Sequence, residues 1–163
     1  MIELPDAELH AALTSALGVE RWVAEVAADA PYNDLAELLA LAHAAATPLS
    51  PAEIDEALAH HPRIGEKPVG EGRSQAFSRS EQSSADQDDA ALAAAIAEGN
   101  ARYERRFGRV FLIRAAGRSR AEILSELGRR IELDEPTELA IVGEQLRDIA
   151  LIRLETMFGA TPA

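Results

Sequence analysis

Three polar residues of this chain fall on stripes that are otherwise apolar, and their types are those of acid–base and anion-binding chemistry. Ile54, Leu58 and His61 follow one another at helical spacing, which turns His61 inward and leaves its neighbour His60 outside. Pro62 disfavours helical geometry at the residue before it and puts His61 at a helix end. The helix dipole there favours the imidazolium while burial opposes it, so this ring can sit near neutrality and transfer protons. Glu81 lies four residues before Ala85 on the stripe Ala85, Leu92, Ile96, Gly99, Tyr103 and Phe107. Arg153 follows Leu139, Val142, Leu146 and Ile149 at alternating three- and four-residue steps. A guanidinium on that stripe must snorkel or meet an anion, either Glu81 or a ligand carboxylate. Each residue also has a structural reading. His61 can be a helix C-cap, the reading that spacing alone favours, and Glu81 can be the third residue of a capping box. One imidazole, one carboxylate and one guanidinium facing inward together suggest a site.

The elements that must position them read as helices. Ser50…Glu53, Ser78…Glu81 and Ser119…Glu122 have capping-box spacing, and Pro51 suits the first helical position. Helical apolar spacing covers 6–17, 19–29 and 33–46. Asp134 is placed to cap a last helix running to about Phe158. Residues 62–77, with Pro62, Gly65, Pro68, Gly70 and Gly72, read as a long surface loop. Val110-Phe111-Leu112-Ile113, between Gly108 and Gly117, reads as an extended crossing segment near 109–116. Asp86-Gln87-Asp88-Asp89 reads as a solvated helix face. The expected fold is all-α: one domain over 1–163, a multi-helix bundle with that one extended segment.

Composition narrows the function. Aromatics are 4% of 163 residues, which suits alanine- and leucine-rich helix packing better than a sheet. Without cysteine there is no disulfide, thiolate nucleophile or Cys-ligated metal. A net charge of −12 argues against nucleic acid and anionic membrane as partners of the whole surface. No signal peptide or membrane-spanning run is read, so a soluble, cytoplasmic protein is expected. Lys67 is the only lysine, beside fifteen arginines, and it stands in the glycine- and proline-rich stretch. A metal site built from His60, His61 and Glu66 is disfavoured because adjacent histidines at a helix end diverge.

His61-Pro62-Arg63-Ile64-Gly65, then Ser78-x-x-Glu81-Gln82, then Phe107-Gly108-x-x-Phe111-Leu112-Ile113 resemble the ordered blocks of the 2-oxo-4-hydroxy-4-carboxy-5-ureidoimidazoline (OHCU) decarboxylase family. Arg21-Trp22-Val23-Ala24-Glu25 is similar to that family's early helix, and Glu144…Ile149…Leu151-x-Arg153-Leu154 to its closing one. The resemblance implies an all-α homodimer without metal or organic cofactor. It also implies decarboxylation of OHCU to (S)-allantoin in urate catabolism. Carried over by position, His61 is the catalytic acid/base and Glu81 its carboxylate partner. Pro62, Ser78, Gln82 and the backbone of Phe111, Leu112, Ile113, Arg114 and Ala115 line the pocket, and Arg153 holds the substrate carboxylate or ring oxygen. Arg109-Val110 and Ser83-Ser84 depart from the family pattern. Two other readings fit the residues: a helical lyase acting on a related ureido acid, and a non-enzymatic acidic helical module that binds a basic partner.

Overall fold

The computed structural model describes residues 1–64 and 73–159, the side chains of 73–75 excepted. Among these residues eight helices form and no strand does, so the all-α expectation holds. The helices are α1 (Asp6–Ala16), α2 (Glu20–Ala27), α3 (Leu35–Ala45), α4 (Pro51–Leu58), α5 (Arg73–Glu81), α6 (Ala90–Phe107), α7 (Arg120–Ile131) and α8 (Glu135–Phe158). The expected extended segment is present as well: residues 110–115 carry neither helix nor strand.

The chain divides into two compact units. The first takes Met1–His60 and the chain from Gly143, and the second takes His61–Val142. In the first unit α1 packs on α2 and α2 on α3. Trp22 is fully buried and donates its indole N–H to the Ala42 carbonyl at 3.0 Å. Tyr32 is buried too, and its hydroxyl donates to the Val26 carbonyl at 2.7 Å, so both large aromatics keep their polar handles satisfied. Burial also pushes the Tyr32 phenol up to about 12. A salt bridge joins α2 to α4. Arg21 Nε donates to Glu53 Oε2 at 2.6 Å, while Glu53 also completes the capping box of Ser50 at the start of α4.

In the second unit α6 packs on α7. Gly99 makes the close approach possible, since a Cβ there would lie 2.5 Å from Leu127 Cδ2. Ile96, Tyr103, Phe111, Ile113, Ile123 and Leu127 form a common buried cluster. Gly108 ends α6 in the left-handed conformation at φ 71°, where a side chain is strained. The capping box expected at Ser119 and Glu122 opens α7, and Asp134 accepts from the Thr137 amide at 2.8 Å to open α8.

Three expectations fail between residues 62 and 89. Ser78 does not open a helix; it lies inside α5, and Glu81 is the last residue of that helix. Residues 73–77 are therefore helix rather than loop, while 65–72 of the expected loop lie outside the described residues. Asp86–Asp89 is not a helix face but the turn between two helices, and Asp89 caps α6 by accepting from the Leu92 amide at 3.0 Å. Local spacing allowed both cap positions. The serine lost because its preceding residues continue the helix.

Asp89→Ala is expected to cost about 1 kcal/mol of unfolding free energy, read by chemical denaturation, as loss of an N-cap does. Glu53 supplies a test of pH dependence. The Arg21 guanidinium holds its carboxyl down at about 2 against an ordinary 4.5. A depressed carboxylate contributes stability that is full above its unfolded value and lost as pH falls through the folded one. Thermal melts should therefore show stability draining between about pH 4.5 and about 2. In Arg21→Met that part of the slope should flatten.

Candidate functional site

Beyond α4 the chain turns through His60 and runs without helix from His61 to Arg63. Since α4 stops at Leu58, His61 lies past the helix rather than on its last turn, a correction to the spacing argument. Its inwardness has another source. His60 is exposed and His61 half-buried, and the exit after His61 is pinned to α6 by two bonds. Asn100 Nδ2 donates to the Ile64 carbonyl at 3.0 Å, and Arg63 Nε donates to Glu104 Oε1. Asn100 and Glu104 are one turn apart on α6, so this segment is held at two points along a helix. His60 serves packing instead. Its ring sits so close to Gly18 that a Cβ there would be 2.5 Å from Cδ2.

Ser78 is buried on α5; Glu81 and Gln82, at its C-terminal end, are half-buried. The extended segment packs into the cluster shared by α6 and α7. Phe111, Leu112, Ile113 and Ala115 are all buried, and Arg114 is half-buried, with Nη1 donating to the Ala116 carbonyl at 3.2 Å. Among the described residues nothing accepts from the amides of Phe111, Leu112, Ile113 or Ala115. These residues are buried and their amides are not used among the described residues, so the amides are candidate donors to a ligand with carbonyl or carboxylate oxygens.

A charged network fixes this segment. Arg130 and Glu138 are both fully buried and pair side-on; Arg130 Nε lies 3.0 and 3.1 Å from the two carboxylate oxygens. Arg130 Nη1 donates to the Leu112 carbonyl at 2.7 Å, and the guanidinium lies 4.7 Å from the centre of the Phe111 ring. The Tyr103 hydroxyl donates to Glu138 at 2.6 Å, while its ring meets that of Phe111 edge-on at 5.2 Å. Burial and the Glu138 carboxylate push the Tyr103 phenol well above its ordinary value. The sequence reading passed over Arg130 and Glu138. Arg130 continues the stripe Ile123, Leu127 at successive steps of four and three residues, the same kind of signal that marked Arg153.

His61, Pro62, Ser78, Glu81, Gln82 and Phe111–Ala115 thus all belong to the second unit. Arg153 belongs to the first, buried as its stripe required, with Nη1 donating to the Ser15 carbonyl at 3.0 Å. The first unit also holds an open cavity of about 410 Å³, bordered by His10, Glu20, Glu56 and His60 and by none of the predicted site residues. Among the described residues no three His, Asp or Glu side chains are grouped to hold a metal ion, and Glu66 of the His60–His61–Glu66 idea lies outside them.

The OHCU decarboxylase family model matches residues 3–155, so the chain belongs to the OHCU decarboxylase family. Uric acid degradation bifunctional protein TTL of Arabidopsis thaliana is 37% identical over 106 residues, 63% of this chain and 33% of that protein. The chain thus spans about a third of the length of that relative. A crystal structure of OHCU decarboxylase in the presence of (S)-allantoin matches with a TM-score of 0.76 at 24% identity, over 92% of this chain and 99% of that one. A crystal structure of (S)-allantoin synthase matches with a TM-score of 0.67 at 19% identity, over 98% of this chain and 53% of that one. At those identities the likeness establishes the fold.

Removing one partner of the buried pair leaves an uncompensated charge. Glu138→Ala should therefore cost about 3–5 kcal/mol in denaturant unfolding. Replacing both partners, Arg130→Met with Glu138→Leu, should recover most of that loss.

Proposed function

We propose that this protein is a carboxy-lyase that decarboxylates OHCU to (S)-allantoin in urate catabolism. Family membership across residues 3–155 carries the proposal. Breaking the bond to the carboxylate releases CO₂ and leaves an electron pair on carbon. The ring has C=N and C=O groups beside that carbon and takes up the charge itself. The protein then has to orient the ring, move a proton and exclude water. The unpaired amides of Phe111, Leu112, Ile113 and Ala115 support the first task, as donors to the ring oxygens, and the family resemblance adds Pro62, Ser78, Gln82 and Arg114 as pocket residues. Arg153, on the motif it shares with the family, is the proposed partner of the substrate carboxylate. His61 moves the proton, taking it from the hydroxyl or giving it to the carbanion, with Glu81 as its carboxylate partner. Protonation from one face gives a single enantiomer of allantoin. On the same resemblance the protein works as a cytoplasmic homodimer without metal or organic cofactor.

The test is an assay on freshly generated OHCU, with the enantiomer of allantoin followed by circular dichroism and related ureido acids run beside it. His61→Asn should lower kcat by about 10²–10⁴-fold, the usual worth of a positioned acid/base, with helicity unchanged. Near-normal turnover would remove His61 from the chemistry. Glu81→Gln should lower kcat while α5 stays folded, because Glu81 ends that helix and does not cap its start. Prolonged dialysis against a chelator should leave activity intact, and light scattering should give twice the chain mass.

A further inference from the structure

Immediately after the residues carried over from the family on α5, the chain makes the turn Gln82–Asp86, and one residue of α7 grips it at both ends. The Arg120 side chain donates from Nη2 to the Gln82 carbonyl at 3.1 Å. The Arg120 backbone amide donates to Asp86 Oδ1 at 2.7 Å, and the next amide, Ala121, donates to Asp86 Oδ2 at 3.1 Å. Ser84 adds its hydroxyl to Asp86 Oδ1 at 3.0 Å. These bonds, that from the Arg120 amide foremost, hold the Asp86 carboxyl below the usual carboxylate range. Within the turn the Gln87 side chain accepts from the Ser84 amide at 3.2 Å.

Two features set this contact apart from ordinary helix capping. The start of α7 already has its own capping box, in which Ser119 takes the Glu122 amide. Asp86 takes the two preceding amides from another part of the chain, so the first turn of α7 is satisfied only when the turn after α5 is docked on it. Arg120, moreover, makes two bonds to this turn, one from its side chain to the Gln82 carbonyl and one from its backbone amide to Asp86. Its position in the chain is informative too. Arg120 comes five residues after Ala115, where the extended segment with unpaired amides ends, and Asp86 comes five after Glu81.

We infer that Asp86 and Arg120 form a positioning clamp that sets the end of α5, with Ser78, Glu81 and Gln82, against the 111–115 segment, so that the two sets of substrate-facing groups share one register. Neither residue needs to touch substrate. The inference rests on the functional reading above for what the register serves, but the clamp itself is a matter of hydrogen bonds. Misplacing reacting groups by about 1 Å can cost on the order of a hundredfold in rate.

Asp86→Ala and Arg120→Ala should each lower kcat/KM on fresh OHCU by about ten- to a hundredfold, with far-UV circular dichroism unchanged. Asp86 and the Arg120 side chain make separate bonds but hold one turn, so the double variant should fall no more than about twofold below the worse single variant. Arg120→Lys, which keeps a donor for the Gln82 carbonyl, should recover most of the Arg120→Ala loss. Asp89→Ala, which removes the neighbouring cap of α6, is the structural control and should stay within about twofold of wild-type kcat/KM despite its lower melting temperature. If the Asp86 and Arg120 variants behave like this control, the clamp is only a cap and the inference fails. Amide hydrogen exchange separates this outcome from failure of the functional reading. In both variants the amides of residues 78–82 should exchange faster while those in the middle of α6 do not. Unchanged exchange there overturns the clamp whether or not the enzyme turns over. A wild-type protein inactive on OHCU refutes the function and leaves the exchange result to decide the clamp.

Discussion

A guanidinium and a carboxylate without access to water are tolerable only if nearly every donor and acceptor they carry is used. Arg130 and Glu138 meet that demand by drawing in three further groups: the Leu112 carbonyl, the Phe111 ring and the Tyr103 hydroxyl. The non-helical chain that follows Gly108 has no ladder or helix to satisfy its backbone, and this network is what gives it a fixed place in the core. The pair stabilises little by itself, because dehydrating two ions offsets most of their attraction. Its value is specific geometry. With the Leu112 carbonyl spoken for on one side, the amides of the same segment remain available to an oxygen-rich ligand.

The same economy governs the other loops of the second unit. The exit from α4 is held by Asn100 and by the ion pair of Arg63 with Glu104, both anchored on α6. The turn between α5 and α6 is held by Asp86 and Arg120, anchored on α7. In the second unit, the irregular stretches next to the family motifs are therefore tied by side-chain bonds to one of two helices that pack on each other. Such an arrangement lets irregular backbone present polar groups without drifting.

Much of this was legible in the sequence, and the reasons differ by residue. The helices at 6–17, 33–46 and after Ser50, Ser119 and Asp134 were readable because each cap and each apolar stripe is local. Arg153 was readable as a buried cation because it continues the regular stripe Leu139, Val142, Leu146 and Ile149. His61 was read as the inner of two histidines from a helical spacing that the structure does not continue; its half-burial comes from bonds made by residues near 100, which no local pattern reports. The Ser78 box misled because Ser-x-x-Glu is equally at home inside a helix. Asp86 carried no signal at all. Its partners are amides thirty-four and thirty-five residues away, and in sequence it is one acid in an acidic run.

Gly99 bears on how the second unit comes together. A glycine in the middle of α6 weakens that helix by about 1 kcal/mol relative to alanine, and an isolated helix of this length is marginal in water already. The deficit is made good only when Leu127 of α7 enters the space that the missing methyl leaves. The two helices are thus expected to consolidate as one αα-hairpin during folding. The extended segment joins these two helices and packs in their shared cluster, so the surfaces that α6 and α7 offer the other loops depend on this pairing.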